Sequence, residues 1–188
     1  MGEATNHVRR SRSIENDPYD CPFDDTGILK VDESSGWEIL KEKTPLQTDF
    51  SPDFVALASS LIPIMYTAHG CGLAAPQVGL PLRFFVYDAG SGPTIVVNPV
   101  VVKQRGEQFS PTEGCLSLPG IKARIRRPNV ISVQAQDVYG EPIFIRATEL
   151  EARIICHELD HLDGILITDR AAPKDIKILA LGEEDDDY

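Results

Sequence analysis

The chain has 188 residues, a hydrophobic fraction of 42% and a formal net charge of -11 at pH 7. This length and composition predict one folded domain with a sizeable core and some extension. The negative charge argues against nucleic acid and anionic membranes as partners, because both repel an acidic surface. No apolar run approaches the roughly 18 residues that span a bilayer, and the polar N-terminus has no secretory signal, so we expect a cytosolic protein.

Both ends of the chain are polar and lack the periodicity of packed elements. Residues 1–36 carry Arg9, Arg10 and Arg12 followed by acidic side chains, which predicts an irregular arm. Residues 181–188 include the run EEDDD, and such a block of like charges is expected to be solvated. The folded domain is therefore predicted to cover residues 37–180.

The first predicted helix lies near the start of this domain. Apolar residues recur at helical spacing over 54–69, and Ser51-Pro52 suits a helix start. Pro63 falls inside the pattern and is expected to kink or split the helix. A glycine-rich turn follows at 70–79.

Several runs rich in Val, Ile and Phe predict β-strands in the middle of the chain. They span 83–87, 94–97, 100–103, 130–135 and 143–146. Asp137 and Tyr139-Gly140 predict a hairpin turn between the last two runs. Strands flanked by a helix on each side indicate an α+β domain and not a regular βαβ series.

The last predicted helix covers 149–163 and contains the motif HExxH at 157–161. Thr148 with Glu151 has the pattern of a capping box, and Gly164 suits the position after the helix. Residues i and i+4 share one face of a helix, so the two histidines of the motif can bind one metal ion. The alternative is a pair of histidines in a satisfied core, but the helical context favours a metal site.

A catalytic zinc site usually has three protein ligands and one open position, so a third ligand is needed. One peptidase pattern places a third histidine where this chain has Ile167, which cannot bind a metal. Another uses a downstream glutamate, but here Glu183 lies in the charged tail. The best candidate is Cys115, since a Cys-His-His set accepts Zn²⁺ or Fe²⁺. Taken by itself, Cys115 is better explained as a small buried residue.

Three segments together resemble the signature motifs of the peptide deformylases: GLAAPQ at 72–77, EGCLS at 113–117 and HELDH at 157–161. The resemblance identifies Cys115, His157 and His161 as the metal ligands. It implies an α+β fold with mixed, mainly antiparallel sheets packed around a central helix that carries HExxH. The implied reaction removes the N-formyl group from the initiator methionine of nascent polypeptides and releases formate. The implied metal is Fe²⁺, which Zn²⁺, Ni²⁺ or Co²⁺ can replace.

The same resemblance implies the catalytic roles. Glu158 would take a proton from the attacking water and deliver it to the leaving amine. The side-chain amide of Gln77 and the backbone N–H of Leu116 would stabilise the charge on the formyl oxygen, together with the metal. The residues alone favour a turn-stabilising role for Gln77. Glu113 and Arg127 match positions that pair in the family, so we expect an ion pair that holds the metal-ligand loop.

The substrate peptide is expected to bind extended, pairing its backbone with the chain near Gly72 and Gly114. The resemblance implies an apolar methionine pocket lined by Cys71, Leu150, Ile154 and His157. Two positions depart from the family pattern: Cys71 replaces a larger apolar residue, and Cys156 replaces a glutamine.

Two other functions stay open on the sequence: a zinc metallopeptidase that uses HExxH, and a non-catalytic binding module on the same scaffold. The predicted partners are N-formyl-methionyl peptides, and the ribosome is a candidate partner. We expect no nucleic-acid or membrane partner, and we expect a cytoplasmic monomer. The four cysteines are widely spaced and form no disulfide pattern.

Overall fold

The computed structural model describes residues 27–31, 37–110 and 112–179. The rest of the predicted arm, including Cys21, and the acidic tail lie outside the described residues. Among the helices described, none has the length and apolarity that crossing a membrane requires.

The first long helix, α1, spans Pro52–Thr67 and begins as predicted. The Ser51 hydroxyl accepts a hydrogen bond from the Phe54 N–H at 3.4 Å, which caps the first turn. The predicted split at Pro63 does not occur. Proline has no N–H, so the Ser59 carbonyl lacks its usual hydrogen bond from residue 63. Both residues are exposed, so this carbonyl can face solvent instead.

After α1, the described chain forms mostly short strands, with further helices towards its C-terminal end. The strands are β1 (Gly72–Ala74), β2 (Phe84–Tyr87), β3 (Thr94–Arg105), β4 (Gln108–Phe109), β5 (Glu113–Cys115), β6 (Leu118–Ala123), β7 (Arg126–Arg127), β8 (Val130–Gln136), β9 (Pro142–Thr148) and β10 (Ile176–Ile178). The helices are α2 (Glu149–Leu162) and α3 (Ile167–Arg170), and short 3-10 helices lie at Trp37–Lys41, Ala75–Val78 and Pro173–Asp175.

The strands form one large sheet and two small ones. The large sheet has the order β1-β2-β3-β8-β9, a second sheet has the order β10-β6-β5, and β4 pairs with β7. The pairings between the described strands are all antiparallel. The predicted α+β class is therefore confirmed. Both β1 and β5 lie at the edge of their sheet.

The long strand β3 replaces two predicted strands. Asn98 has a φ of 51°, and the β3–β8 register shifts between Val97 and Val100, which marks a bulge. Pro99 lies within this bulge, where its missing N–H does not interrupt the ladder. The Asn98 amide also donates to Gln136 Oε1 at 2.7 Å, so the bulge is held across the sheet.

The predicted hairpin between β8 and β9 is confirmed. Asp137 Oδ1 accepts hydrogen bonds from the N–H groups of Tyr139 and Glu141 at 2.8 and 2.9 Å. Gly140 has a φ of 88°, a conformation that side chains rarely adopt.

The large sheet is covered on both faces where the two long helices pack. In β2, Phe85 and Tyr87 contact the core cluster that includes α2, whereas Phe84 and Val86 contact the cluster that includes α1. This explains why β2 reads FFVY without a polar residue. The helix α2 packs against β1, β2, β8 and β9, so it is central to the domain.

The start of α2 differs from the prediction. Thr148 is the N-cap residue, but its side chain makes no capping hydrogen bond. Glu151 instead accepts a hydrogen bond from the Tyr87 hydroxyl at 3.0 Å. The predicted capping box is therefore wrong, because a tertiary contact with β2 holds the glutamate.

The end of α2 is as predicted. Gly164 has a φ of 72°, and its N–H bonds the His161 carbonyl at 3.2 Å. The Ile165 N–H bonds the Asp160 carbonyl at 2.9 Å, which completes a Schellman motif. A side chain on Gly164 would also overlap the backbone of Lys41, so both the positive φ and the close backbone contact require glycine here.

The folded domain begins before residue 37. Ile28 is buried, and Leu29 and Val31 pack against the core. The Leu29 N–H bonds the Gln77 carbonyl at 2.7 Å, and the Val31 N–H bonds the Ser117 carbonyl at 2.8 Å. Residues 27–31 are too few to show periodicity in the sequence, which places them in the arm, yet they pack with the domain.

Candidate metal centre and active site

The structure brings Cys115, His157 and His161 together. The two imidazoles project from successive turns of α2, with ring centroids 5.0 Å apart. Cys115 lies at the end of the edge strand β5, and its Sγ is 3.3 Å from His161 Nε2. One ligand atom from each of the three residues lies within 4.8 Å of the others. The sequence separates them widely, so the convergence is a property of the fold.

The chemistry of these three residues fits a divalent metal ion. A cysteine thiolate and two neutral imidazoles are donors that Zn²⁺ and Fe²⁺ accept. Burial and the neighbouring His157 lower the pKa of His161 well below its usual value, which favours the neutral imidazole that binds metals. His161 Nδ1 is buried and has no hydrogen-bond partner among the described residues, and its other ring nitrogen faces the thiol.

Glu158 is a buried carboxylate beside this group. Its side chain is 3% exposed, and burial raises its pKa to about 7. Its Oε2 has no hydrogen-bond partner in the described part of the chain. A side chain on Gly72 would overlap the Glu158 carboxylate, so glycine at the start of β1 makes room for it.

Gln77 connects two loops of the site. It lies in the 3-10 helix after β1 and is 1% exposed. Its Oε1 accepts from the Ala74 N–H at 2.8 Å, and its Nε2 donates to Ser117 Oγ at 3.2 Å and is 3.9 Å from Cys115 Sγ. The side chain therefore stabilises its own turn and also reaches the cysteine. Ser117 is fully buried, and sequence reasoning assigned it no role although it lies within EGCLS.

The expected ion pair between Glu113 and Arg127 is confirmed. Arg127 Nε and Nη2 donate to the two Glu113 oxygens at 2.9 and 2.8 Å, and both side chains are buried. The Arg127 hydrogen bonds and those of His157 outweigh burial and lower the pKa of Glu113 to about 2. Glu113 Oε2 lies 3.2 Å from His157 Nδ1, which orients that ring.

The network extends to two residues that sequence reasoning missed. Asp160, inside HExxH, accepts from Arg127 Nη1 at 2.6 Å and from Arg170 Nε at 3.0 Å. A buried carboxylate between two guanidinium groups fixes α2 to β7 and α3. The available signal was the polar Asp160 on the buried side of an amphipathic helix.

The residues expected to bind substrate lie on or next to three elements, β1, β5 and α2. Gly72 and Gly114 belong to the edge strands β1 and β5. Leu150, Ile154 and His157 follow helical spacing on α2, with Leu150 49% exposed and Ile154 buried. Cys71 is exposed next to Gly72. Leu116 is half-buried, and its side chain approaches Gly70.

Cys156 does not join the metal-ligand group. It packs against the core cluster of α2 and lies beside Asp160 and Arg127 in a separate cleft. Burial raises the pKa of its thiol to about 11.

An α+β domain whose HExxH helix meets a cysteine thiol defines a metal-dependent hydrolase. Residues 27–177 match the family model described as polypeptide deformylase, and the chain belongs to this family. Its members remove the N-formyl group from nascent peptides, so the predicted enzyme class is confirmed.

Similar proteins support this assignment. The peptide deformylase of Desulfitobacterium hafniense is 40% identical over 136 residues, which are 72% of this chain and 90% of that protein. The peptide deformylase of Acetivibrio thermocellus is 43% identical over 135 residues, with 72% and 79% covered. The crystal structure of peptide deformylase from Thermotoga maritima superposes with a TM-score of 0.73 and 37% identity, covering 78% of this chain and 97% of that one.

Proposed function

We propose that this chain deformylates the initiator methionine of nascent polypeptides at a site where Cys115, His157 and His161 hold one divalent metal ion. The observation that carries the proposal is the approach of Cys115 Sγ to 3.3 Å from His161 Nε2, across two separate elements. An ion bound there would supply Lewis acidity and make water a nucleophile near neutral pH.

Glu158 is the proposed proton carrier. A carboxyl with a pKa of about 7 can both accept a proton from water and return one to the leaving amine. Its unpartnered Oε2 supports this role, because no hydrogen bond within the described residues has to break first. The close approach to Gly72 places the carboxylate next to the edge of β1.

Gln77 and Leu116 are the proposed donors to the formyl oxygen. Gln77 Nε2 lies 3.9 Å from Cys115 Sγ, and Leu116 is the residue that follows Cys115 in the chain. Preorganised donors of this kind commonly contribute about 2.7–4 kcal/mol to a transition state. The hydrogen bond between Ala74 N–H and Gln77 Oε1 fixes the direction in which the Gln77 amide points.

The peptide is proposed to bind as an added strand between β1 and β5. Edge strands present backbone groups that an extended peptide can pair with, and glycine at positions 72 and 114 keeps those groups accessible. The methionine side chain is proposed to contact Cys71, Leu150 and Ile154.

The native ion is proposed to be Fe²⁺, as the family resemblance implies. Zn²⁺, Ni²⁺ or Co²⁺ are proposed as replacements, because all accept thiolate and imidazole donors. Metal analysis after anaerobic purification, with formate release measured on the same sample, tests this. Activity that follows zinc content and not iron content would overturn the choice of iron.

The cellular setting follows from the substrate. We propose that the protein acts as a monomer in the cytoplasm on formylated nascent peptides, with the ribosome as a candidate partner. Sedimentation of the purified protein with and without ribosomes tests both the monomer and the association.

The decisive assay compares formyl-Met-Ala-Ser with unformylated Met-Ala-Ser. Formate release from the first peptide supports deformylation. Cleavage of an internal bond in either peptide would instead indicate a metallopeptidase, and binding without turnover would indicate a binding module.

The ligand assignment has its own test. Cys115→Ser should lose metal content, whereas Cys71→Ser, which changes an exposed thiol, should retain it. Undiminished metal in the Cys115 variant would contradict the ligand set.

A further inference from the structure

A cleft of about 580 Å³ lies along the face of α2 formed by Cys156, Leu159 and Asp160, and reaches the C-cap residue Asp163. This face points in a different direction from His157 around the helix axis. Cys115, His157 and His161 do not line the cleft, so it is separate from the metal-ligand group. We call it the rear cleft. None of the residues expected to bind substrate lines it.

The rear cleft concentrates positive charge on an acidic protein. Its cationic side chains are Lys43, Arg83, Arg126, Arg127 and Arg170, and its carboxylates are Asp160 and Asp163. The whole chain has 18 Lys and Arg against 29 Asp and Glu, so the balance in the cleft is the reverse of that in the protein. Glu107 and Glu113 pair with Arg126 and Arg127 from outside the lining. With these two counted, five cations meet four carboxylates, so the cleft keeps a small positive excess on a protein of net charge -11, and such an excess favours anions.

The cations occupy two levels. Arg83 and Arg127 are buried, 8% and 4% exposed, and their partners on α2 hold them in place. Arg83 donates to the Leu162 carbonyl at 3.2 Å and to Asp163 Oδ1 at 3.0 Å. These two guanidinium groups form a rigid floor of hydrogen-bond donors, and the carboxylates of Asp163, Glu113 and Asp160 balance their charge.

Three longer-ranging cations surround the floor. The side chains of Lys43, Arg126 and Arg170 are 71%, 64% and 46% exposed. Arg170 is held by the buried Asp160, whereas Lys43 and Arg126 pair with the more exposed Asp163 and Glu107. Surface pairs of this kind contribute little to stability, so these two side chains can turn toward a phosphate. The site thus combines fixed and adaptable donors.

One wall of the rear cleft is apolar. Val101, which pairs with Val133 on the α2 side of the sheet, is 38% exposed, and Leu159 of α2 also lines the cleft. The volume lies within the range of roughly 300–1,000 Å³ that small-molecule sites occupy, and it exceeds what an inorganic anion needs. We propose that the rear cleft binds an organic phosphate, with the phosphate on the cations and the carbon body on the apolar wall.

Calorimetric titration of the metal-loaded protein with adenosine monophosphate tests this at low salt. Binding should be one to one, and both adenosine and inorganic phosphate alone should bind more weakly by at least roughly tenfold. The double variant Lys43→Gln/Arg126→Gln should weaken binding of the nucleotide by roughly tenfold or more. The control Arg146→Gln/Lys174→Gln changes the net charge equally at exposed positions outside the cleft and should bind like the wild type.

Four results would overturn the proposal. The first is no heat of binding, and the second is an equal loss in both double variants, which would indicate unspecific attraction. The third is binding that disappears with the metal, because the nucleotide would then be contacting the ion. The fourth is inorganic phosphate binding as tightly as the nucleotide, which leaves no role for the apolar wall. The titration requires no turnover, so its outcome is distinct from that of the deformylation assay.

Discussion

Glu158 and Asp160 are buried carboxylates two residues apart on α2, and their surroundings are opposite in kind. Asp160 accepts hydrogen bonds from Arg127 and Arg170. Glu158 Oε2 has no partner in the described chain, and burial raises the pKa of this residue to about 7. The difference shows that buried carboxylates on one helix can have different roles. A fully paired carboxylate holds the helix in place, whereas an unpaired one can exchange a proton near neutral pH.

The largest expected effect is on the unpaired carboxylate. Glu158→Gln keeps the shape of the side chain but cannot carry the proton, so kcat should fall by roughly 10²–10⁴-fold. The melting temperature and metal content should stay close to those of the wild type. Formate release, calorimetry and metal analysis measure the three quantities. Glu151→Gln on the same helix is the control, and a Glu158 variant with wild-type turnover would contradict the comparison.

Asp160→Ala should show the reverse pattern. Removing this carboxylate leaves the buried Arg127 without one partner, which should lower the free energy of unfolding by about 3–5 kcal/mol. Urea titration measures the change. The kcat of the folded fraction should fall less than in the Glu158 variant. An unchanged unfolding midpoint would show that Asp160 does not hold the helix.

Gly72→Ala tests whether the space for Glu158 matters. The added methyl group would overlap the carboxylate, and overpacking of this kind costs about 1–3 kcal/mol. We expect a fall in kcat of roughly 10- to 100-fold. Combining Gly72→Ala with Glu158→Gln should add little to the loss from Glu158→Gln alone, because both act on one group. Full additivity would mean that Gly72 acts elsewhere.

The smallest effect concerns a carboxylate at the start of α2. Burial and the hydrogen bond to Glu151 raise the pKa of Tyr87 to about 12 from 10.0. The raised value stabilises the fold below pH 10, and this stabilisation should be lost as the pH rises toward about 12. Glu151→Gln should lower the pKa of Tyr87 only part of the way, since burial remains. Ultraviolet titration of the tyrosinate measures it, and an unchanged pKa would exclude the contact.

The sequence predicted those parts of the fold that have local signals. The start of α1, the hairpin at Asp137 and the glycine after α2 follow from residues close together in the chain. The metal-ligand triad required the family resemblance, because nothing local connects Cys115 with the helix.

The missed features depend on distant contacts. The runs 94–97 and 100–103 were predicted as separate strands, but they form one strand whose bulge at Asn98 is held by Gln136 on another strand. The predicted capping box was wrong because Glu151 accepts a hydrogen bond from Tyr87, which lies 64 positions earlier in the chain. The very short strands, such as β4 and β7, have too few residues for a periodic pattern.

The hydrogen bonds from Leu29 to Gln77 and from Val31 to Ser117 constrain the order in which parts of the protein can fold. A polypeptide is made from its N-terminus, so this segment is synthesised long before the loops that it joins. Cys115 can meet His161 only after that residue has been synthesised, 46 positions later in the chain. Pairings between such distant residues form slowly, since the intervening chain must first be ordered. The centre of an enzyme that acts on nascent chains can thus itself be completed only after α2 has been synthesised.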